Sequence, residues 1–166
     1  MTSSDRHKSK ELQEAVIKGA HDEFRVYIRG IHPLLPDRNS ILACVVGLQL
    51  EETDDVVYIG ASVCHPNDLP QTRNLVVQRA RGRAALGFLY EDKKVAYRNS
   101  DTFCAVITND ALYQFAKYVN SDNQEKDPRV VLFELFKKNP PRFVEKFPYM
   151  KYESLFNKKE EPVSAT

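Results

Sequence analysis

The feature that most constrains the fold is an apolar run at residues 41–50, in which Gln49 is the single polar side chain. A run of this length that includes β-branched residues is typical of a central strand. An acidic segment at 51–55 follows it, and residues 56–64 form a second apolar run that ends before Pro66. These residues therefore predict an antiparallel hairpin over 41–64 with an acidic tip in solvent.

Other segments extend this sheet. Residues 24–31 read FRVYIRGI and alternate apolar with polar side chains, which predicts a half-buried strand. Residues 32–40 contain two prolines and a polar cluster, so they are expected to form a loop. Two short strands are expected at 95–97 and 102–107, although the second segment could instead begin a helix.

Three helices follow from spacing and capping signals. Apolar residues recur at helical intervals in 11–20 and in 109–119. Asp127 followed by proline is a strong N-cap signal for a helix over 128–138, which two further prolines end.

A fourth helix is expected to begin at Asp68 as N-cap, with Pro70 in its first turn and Gln71 completing a capping box. It should run to about Tyr90. The whole pattern predicts a single α+β domain over 11–156, in which a small antiparallel sheet packs with about four helices. A flexible N-terminus at 1–10 and a disordered tail at 157–166 are expected to flank it.

The cysteines and the hydropathy pattern exclude several classes of protein. Cys44, Cys64 and Cys104 are isolated from one another, which argues against a disulfide framework and against a zinc cluster. No stretch approaches the roughly 18 apolar residues of a membrane span, and the N-terminus lacks the apolar region of a secretory signal. A soluble, cytoplasmic protein without membrane contact is the expectation.

No enzyme signature stands out in the sequence. Glycine-rich phosphate loops, paired histidines at metal-ligand spacing and known nucleophile motifs are missing. Cys64 and His65 are adjacent, but neighbouring side chains of a strand point to opposite faces, so His65 is poorly placed as a base for the thiol. We therefore predict no catalytic residue, no metal site and no cofactor.

The helix expected at 68–90 is the strongest candidate for function. Apolar residues occupy two opposite arcs of it, which is typical of a buried helix. Arg79 and Arg83 lie between these arcs and would need anions. An internal carboxylate (Glu23 or Asp101), a phosphate group or an acidic surface of a partner protein could supply them. The basic residues predicted to bind are Arg73, Arg79, Arg81, Arg83, Lys93, Lys94 and Arg98.

The charge distribution separates this region from the hairpin. Residues 41–65 carry a net charge of −4 and residues 66–100 carry +4, whereas the whole chain carries +1. The two blocks could simply balance each other as neighbouring elements. A net charge near zero weakens the case for nucleic acid as the partner, since most nucleic-acid-binding domains are clearly basic.

The same region carries a resemblance. A strand leading to Cys64-His-Pro-Asn-Asp68, then a helix with Gly82-Arg83-Ala84, resembles a pattern in small proteins encoded by phages and prophages. This chain departs from that pattern near Val76, where the first Gly-Arg pair is replaced, and it has one inserted residue. The resemblance implies a viral origin and adds no site residue.

These observations lead to a ranked set of functions. The favoured one is a non-enzymatic binding protein that acts on another protein as a regulator or inhibitor; if the origin is viral, the target would be a host protein in the host cytoplasm. The alternative is a nucleic-acid-binding protein that uses the basic helix at 70–90. An enzyme with an unrecognised site ranks third.

Overall fold

A computed structural model describes residues 3–92, 94 and 103–142 of the 166-residue chain. Four antiparallel strands form one sheet in the order β1-β2-β3-β4, so each strand pairs with its neighbours along the chain. The strands are β1 (Asp22–His32), β2 (Leu35–Gln49), β3 (Val56–Val63) and β4 (Cys104–Thr108). The helices are α1 (Ser3–Gly19), α2 (Arg73–Glu91), α3 (Asn109–Val119) and α4 (Pro128–Lys138). The α+β prediction is confirmed.

Helices cover both faces of the sheet. One face buries residues such as Val45 and Ile59 against Phe115 of α3 and Phe133 of α4. The opposite face buries Cys44, Val46 and Leu48 against α2, and α1 packs on α2. Side chains that alternate along β2 therefore enter two separate cores, which explains why this strand is apolar at nearly every position.

The predicted hairpin is present, and β1 adds a second one. Within the first, Ala43 to Leu48 pair with Val63 to Tyr58. The loop predicted over 32–40 is wrong, because β2 begins at Leu35 and pairs with β1 beyond a tight turn. This part of β2 lies outside the stretch paired with β3, so Pro36 can occupy a strand that is open on one side.

Two helices begin at residues other than those predicted from the sequence. The N-cap of α2 is Thr72, whose hydroxyl accepts from the Leu75 N–H, and not Asp68, whose N–H donates to the His65 carbonyl in a preceding turn. Helix α1 begins at Ser3, within the segment expected to be flexible. Both α3 and α4 have the predicted bounds, and Asp127 caps α4.

The sequence left open whether the segment after α2 forms a strand or begins a helix. Residues 104–108 form strand β4 and do not begin a helix. The strand expected at 95–97, the end of the predicted domain and the tail at 157–166 lie outside the described residues. Among the helices of the described ranges, none has the length and apolar character needed to cross a lipid bilayer.

Candidate binding surface

Arg81 of α2 is paired inside the protein. Its Nε and Nη2 atoms donate to the two carboxylate oxygens of Glu23 on β1, at 2.6 and 3.0 Å. The two side chains are only 25% and 23% exposed, so the fork of hydrogen bonds is partly shielded from water. The sequence suggested Glu23 as a partner of Arg79 or Arg83, but Glu23 pairs with Arg81. Asp101, the other carboxylate suggested, lies outside the described residues.

Arg83 lies against the sheet. Its Nη1 donates to the backbone carbonyl of Ala61 on β3 at 2.7 Å, and its guanidinium carbon is 5.3 Å from the ring centroid of Phe103. The side chain is half-buried. A backbone carbonyl and an aromatic ring of the protein itself are therefore among the partners of this cation.

Two arginines of α2 face outward. Arg79 is exposed and donates to the side-chain oxygen of Gln71 at 2.6 Å. Arg73 is also exposed; its Nε donates to the Tyr27 hydroxyl at 3.1 Å, and its guanidinium carbon is 4.8 Å from the Tyr27 ring centroid. Arg29 of β1 approaches the same ring to 5.6 Å. We call Tyr27, Arg29 and Arg73 the arginine–tyrosine patch.

The predicted basic residues therefore do not meet at a single site. Arg81 and Arg83 bind groups of the protein itself, while Arg73, Arg79 and Lys94 are exposed. Lys93 and Arg98 lie outside the described residues. Sequence reasoning missed Tyr27 and Arg29, because only the folded sheet brings β1 beside the first turn of α2.

An apolar groove runs along β1 on the other face of the sheet. It is a cavity of about 370 Å³ between β1 and α3. Its lining residues come mainly from these two elements: Phe24, Arg25, Val26, Gln49, Asn109, Leu112, Tyr113 and Ala116. Tyr113 on the α3 wall of the groove is 64% exposed.

The surroundings of Cys64 do not activate its thiol. Burial, and then the negative charge of Asp68, raise the pKa of the Cys64 thiol above its usual value. A nucleophilic cysteine needs the opposite shift. The Nδ1 atom of His65 accepts from the Asn67 N–H at 3.1 Å, so this nitrogen is engaged within the turn. Within residues 3–92, 94 and 103–142, no group of three or more His, Cys, Asp or Glu side chains could hold a metal ion.

The Glu23 pair predicts a pH dependence of stability. Burial acts to raise the pKa of Glu23, but hydrogen bonds from Arg81 and Arg25 outweigh it and lower the pKa below its ordinary value. A carboxylate with a lowered pKa stabilises the fold above its unfolded pKa, and this contribution is lost as pH falls through the folded value. We expect the Glu23→Gln variant to be about 1 kcal/mol less stable at pH 7, a difference that disappears near pH 3.

Urea unfolding of both proteins between pH 3 and pH 7 measures this effect. Glu14→Gln is the matched control, since Glu14 is exposed on α1. If the free energy of unfolding depends on pH in the same way for Glu23→Gln and for the unmodified protein, the ion pair does not contribute to stability.

No protein-family model, curated protein or solved structure matches this chain. The functional conclusion therefore depends on the two surfaces of β1 described above.

Proposed function

We propose that this protein is a non-enzymatic binding protein that acts on another protein as a regulator or inhibitor. The observation that carries the proposal is the arginine–tyrosine patch, in which two exposed guanidinium groups lie within 5.6 Å of the centre of the Tyr27 ring. Tyrosine and arginine are the residue types that dominate binding energy at protein interfaces. The ring also holds Arg73 in place, so less side-chain freedom is lost when a partner binds.

The charge of the patch indicates the chemistry of the partner. Guanidinium groups form paired hydrogen bonds with carboxylates, which makes an acidic surface the natural complement. The chain as a whole carries a net charge of only +1, so long-range attraction by the protein as a whole is weak and local charges decide which partner binds. The resemblance to phage-encoded proteins adds that the partner would be a host protein.

Site-specific photo-crosslinking tests the proposal. A photoreactive side chain at Asn74, which is exposed beside Arg73, is expected to capture a partner from a lysate of cells that contain the protein. Charge reversal by Arg73→Glu should reduce capture about tenfold, because it removes a cation at the centre of the patch and introduces repulsion. Lys137→Glu on α4 makes the same charge change away from the patch and should leave capture unchanged.

The crosslinking result distinguishes the functional classes. Capture that is equal for Arg73→Glu and Lys137→Glu would contradict a partner at this patch. Failure to capture any protein at Asn74 would reject the protein-binding function itself.

Nucleic acid is a second candidate partner, because Arg73, Arg79 and Lys94 are each exposed and an extended backbone could contact them separately. With three phosphate contacts, a plot of the logarithm of the binding constant for duplex DNA against the logarithm of the salt concentration should have a slope of about −3. Fluorescence anisotropy with a labelled duplex at low and moderate salt measures that slope. Binding that is absent at low salt, or that does not weaken as salt rises, would eliminate this candidate.

A further inference from the structure

The two outer strands of the sheet have different edges. Strand β4 has five residues, and the Val106 N–H on it donates to the Asn139 carbonyl at 2.9 Å. Strand β1 has 11 residues, and Asp22 to Ile28 pair with β2 without a register shift. In the described parts of the chain, no strand pairs with its outer edge. Long edges of this kind are usually blocked by lysine, proline or bulges, because their unpaired N–H and C=O groups can bind another strand. Strand β1 contains neither lysine nor proline, and its two register shifts lie beyond Ile28.

The apolar groove follows this edge. Three consecutive residues of β1, Phe24 to Val26, line it. Phe24 and Val26 belong to the apolar face of the sheet, and Arg25 between them points to the other face, so residues of both faces of β1 border the groove. The opposite wall is one face of α3, where Asn109, Leu112, Tyr113 and Ala116 recur at helical spacing.

The other face of β1 is basic. Glu23 on this face is bonded to Arg25 and Arg81, whereas Arg29 and Arg73 are exposed beside the ring of Tyr27. A strand placed beside β1 would therefore have alternate side chains in an apolar groove and the remaining side chains beside guanidinium groups.

We propose that β1 binds an extended segment of the partner protein by strand addition, and that this segment alternates apolar and acidic residues. The proposal depends on the protein-binding function and names the form and chemistry of the partner. Backbone hydrogen bonds to the edge of β1 provide affinity, and the two faces select the sequence. The apolar side chains enter the groove beside Tyr113, and the acidic ones face Arg29.

A second copy of this chain is the competing occupant of the edge. In an antiparallel pair of β1 strands centred on Tyr27, Arg25 of one copy lies opposite Arg29 of the other, whereas centring on Val26 places Glu23 opposite Arg29. Like charges directly opposite each other destabilise a strand pair, and Glu23 is already bonded to Arg25 and Arg81. An acidic segment of another protein therefore complements Arg29 and Arg73 better than a second copy does.

Backbone methylation of a peptide probe tests strand addition directly. The probe is a blocked, fluorescently labelled peptide of alternating valine and glutamate, about nine residues long, which covers most of β1. Residues of an added strand alternate between N–H groups that point toward β1 and N–H groups that point away. One version is therefore N-methylated at every valine and the other at every glutamate.

Fluorescence anisotropy with the intact chain measures binding of the three peptides. We expect one methylated peptide to bind at least about tenfold more weakly than the unmethylated probe and the other to bind like it. Equal affinities of the two methylated peptides, or no binding of the unmethylated probe at millimolar concentration, would overturn strand addition.

Variants of the protein test the two faces separately. Tyr113→Ala should weaken binding of the probe roughly fivefold through lost apolar contact, and Arg29→Glu should do so through repulsion. Leu69→Ala is the control for the first, because Leu69 is 62% exposed and does not line the groove. Lys137→Glu is the control for the second. If each control variant weakens binding of the probe as much as the variant it is paired with, the peptide does not bind at the edge of β1.

Two further measurements separate this proposal from the general function. A dimer in analytical ultracentrifugation that Tyr113→Ala dissociates would assign the edge to a second copy and overturn the proposal. Capture of a partner by a photoreactive group at Asn74, combined with failure of the peptide to bind, would retain the protein-binding function and reject strand addition.

Discussion

Replacing Gly60 with alanine is expected to destabilise the fold by about 3 kcal/mol or more. Gly60 lies on β3, where α2 crosses the sheet, and a Cβ atom there would overlap the backbone of Ala80, Arg83 and Ala84. Backbone atoms of a helix cannot rotate aside, so α2 would have to move away from the sheet. Such overpacking typically costs about 1–3 kcal/mol, and rigid surroundings put this site at the upper end.

Gly87→Ala is the matched control on α2. A Cβ atom at Gly87 would lie 3.5 Å from the Cβ of Cys104, which is ordinary van der Waals contact. Alanine is favoured over glycine inside a helix by about 0.5–1 kcal/mol, so this variant should be slightly stabilised. Urea denaturation of both variants measures the difference. A loss below about 1 kcal/mol for Gly60→Ala would mean that α2 does not approach β3 so closely.

The position of α2 also determines the arginine–tyrosine patch. Arg73 is on the first turn of α2 and Tyr27 is on β1, so their contact depends on how the helix lies across the sheet. If Gly60→Ala displaces α2, binding at the patch should weaken even where the protein remains folded. The close approach at Gly60 thus connects packing with the candidate function.

Most elements of this fold could be predicted because their signals are local. Asp127 and Pro128 begin α4 as expected, and the apolar run before the acidic tip is the central strand β2. The start of β2 at Leu35 could not be predicted in the same way, because prolines disfavour strands in general. Pro36 is tolerated since it lies in the register shift between Leu35 and Asn39 and outside the stretch paired with β3, and both facts are properties of the whole sheet.

The candidate site was less predictable because its contacts are distant in sequence. Arg81 and Glu23 are separated by 58 residues, and Arg73 and Tyr27 by 46. The sequence indicated that the arginines of α2 would need partners, but it could not distinguish Arg81, which pairs internally, from Arg73, which faces outward. The alternation of β1 was visible, whereas its place at the edge of the sheet depends on strand order.

Replacing Arg83 with alanine should lower stability by about 2–3 kcal/mol. The guanidinium donates to the Ala61 carbonyl in a partly buried setting and lies over the Phe103 ring. A hydrogen bond from a charged group contributes about 1.5–3 kcal/mol, and a cation–π contact adds about 0.5–1 kcal/mol. For a chain of this size the loss corresponds to a decrease in melting temperature of about 5–10 °C.

Arg79→Ala is the matched control, since Arg79 lies one turn earlier on α2 and is exposed. Removal of an exposed side chain should change stability by no more than about 0.5 kcal/mol. Thermal denaturation of the two variants, run beside the photo-crosslinking assay, separates a structural arginine from a binding one. If Arg83→Ala melts like Arg79→Ala and loses the partner, Arg83 belongs to the binding surface. If it melts several degrees lower and the folded fraction still captures the partner at Asn74, Arg83 serves to hold α2 on the sheet.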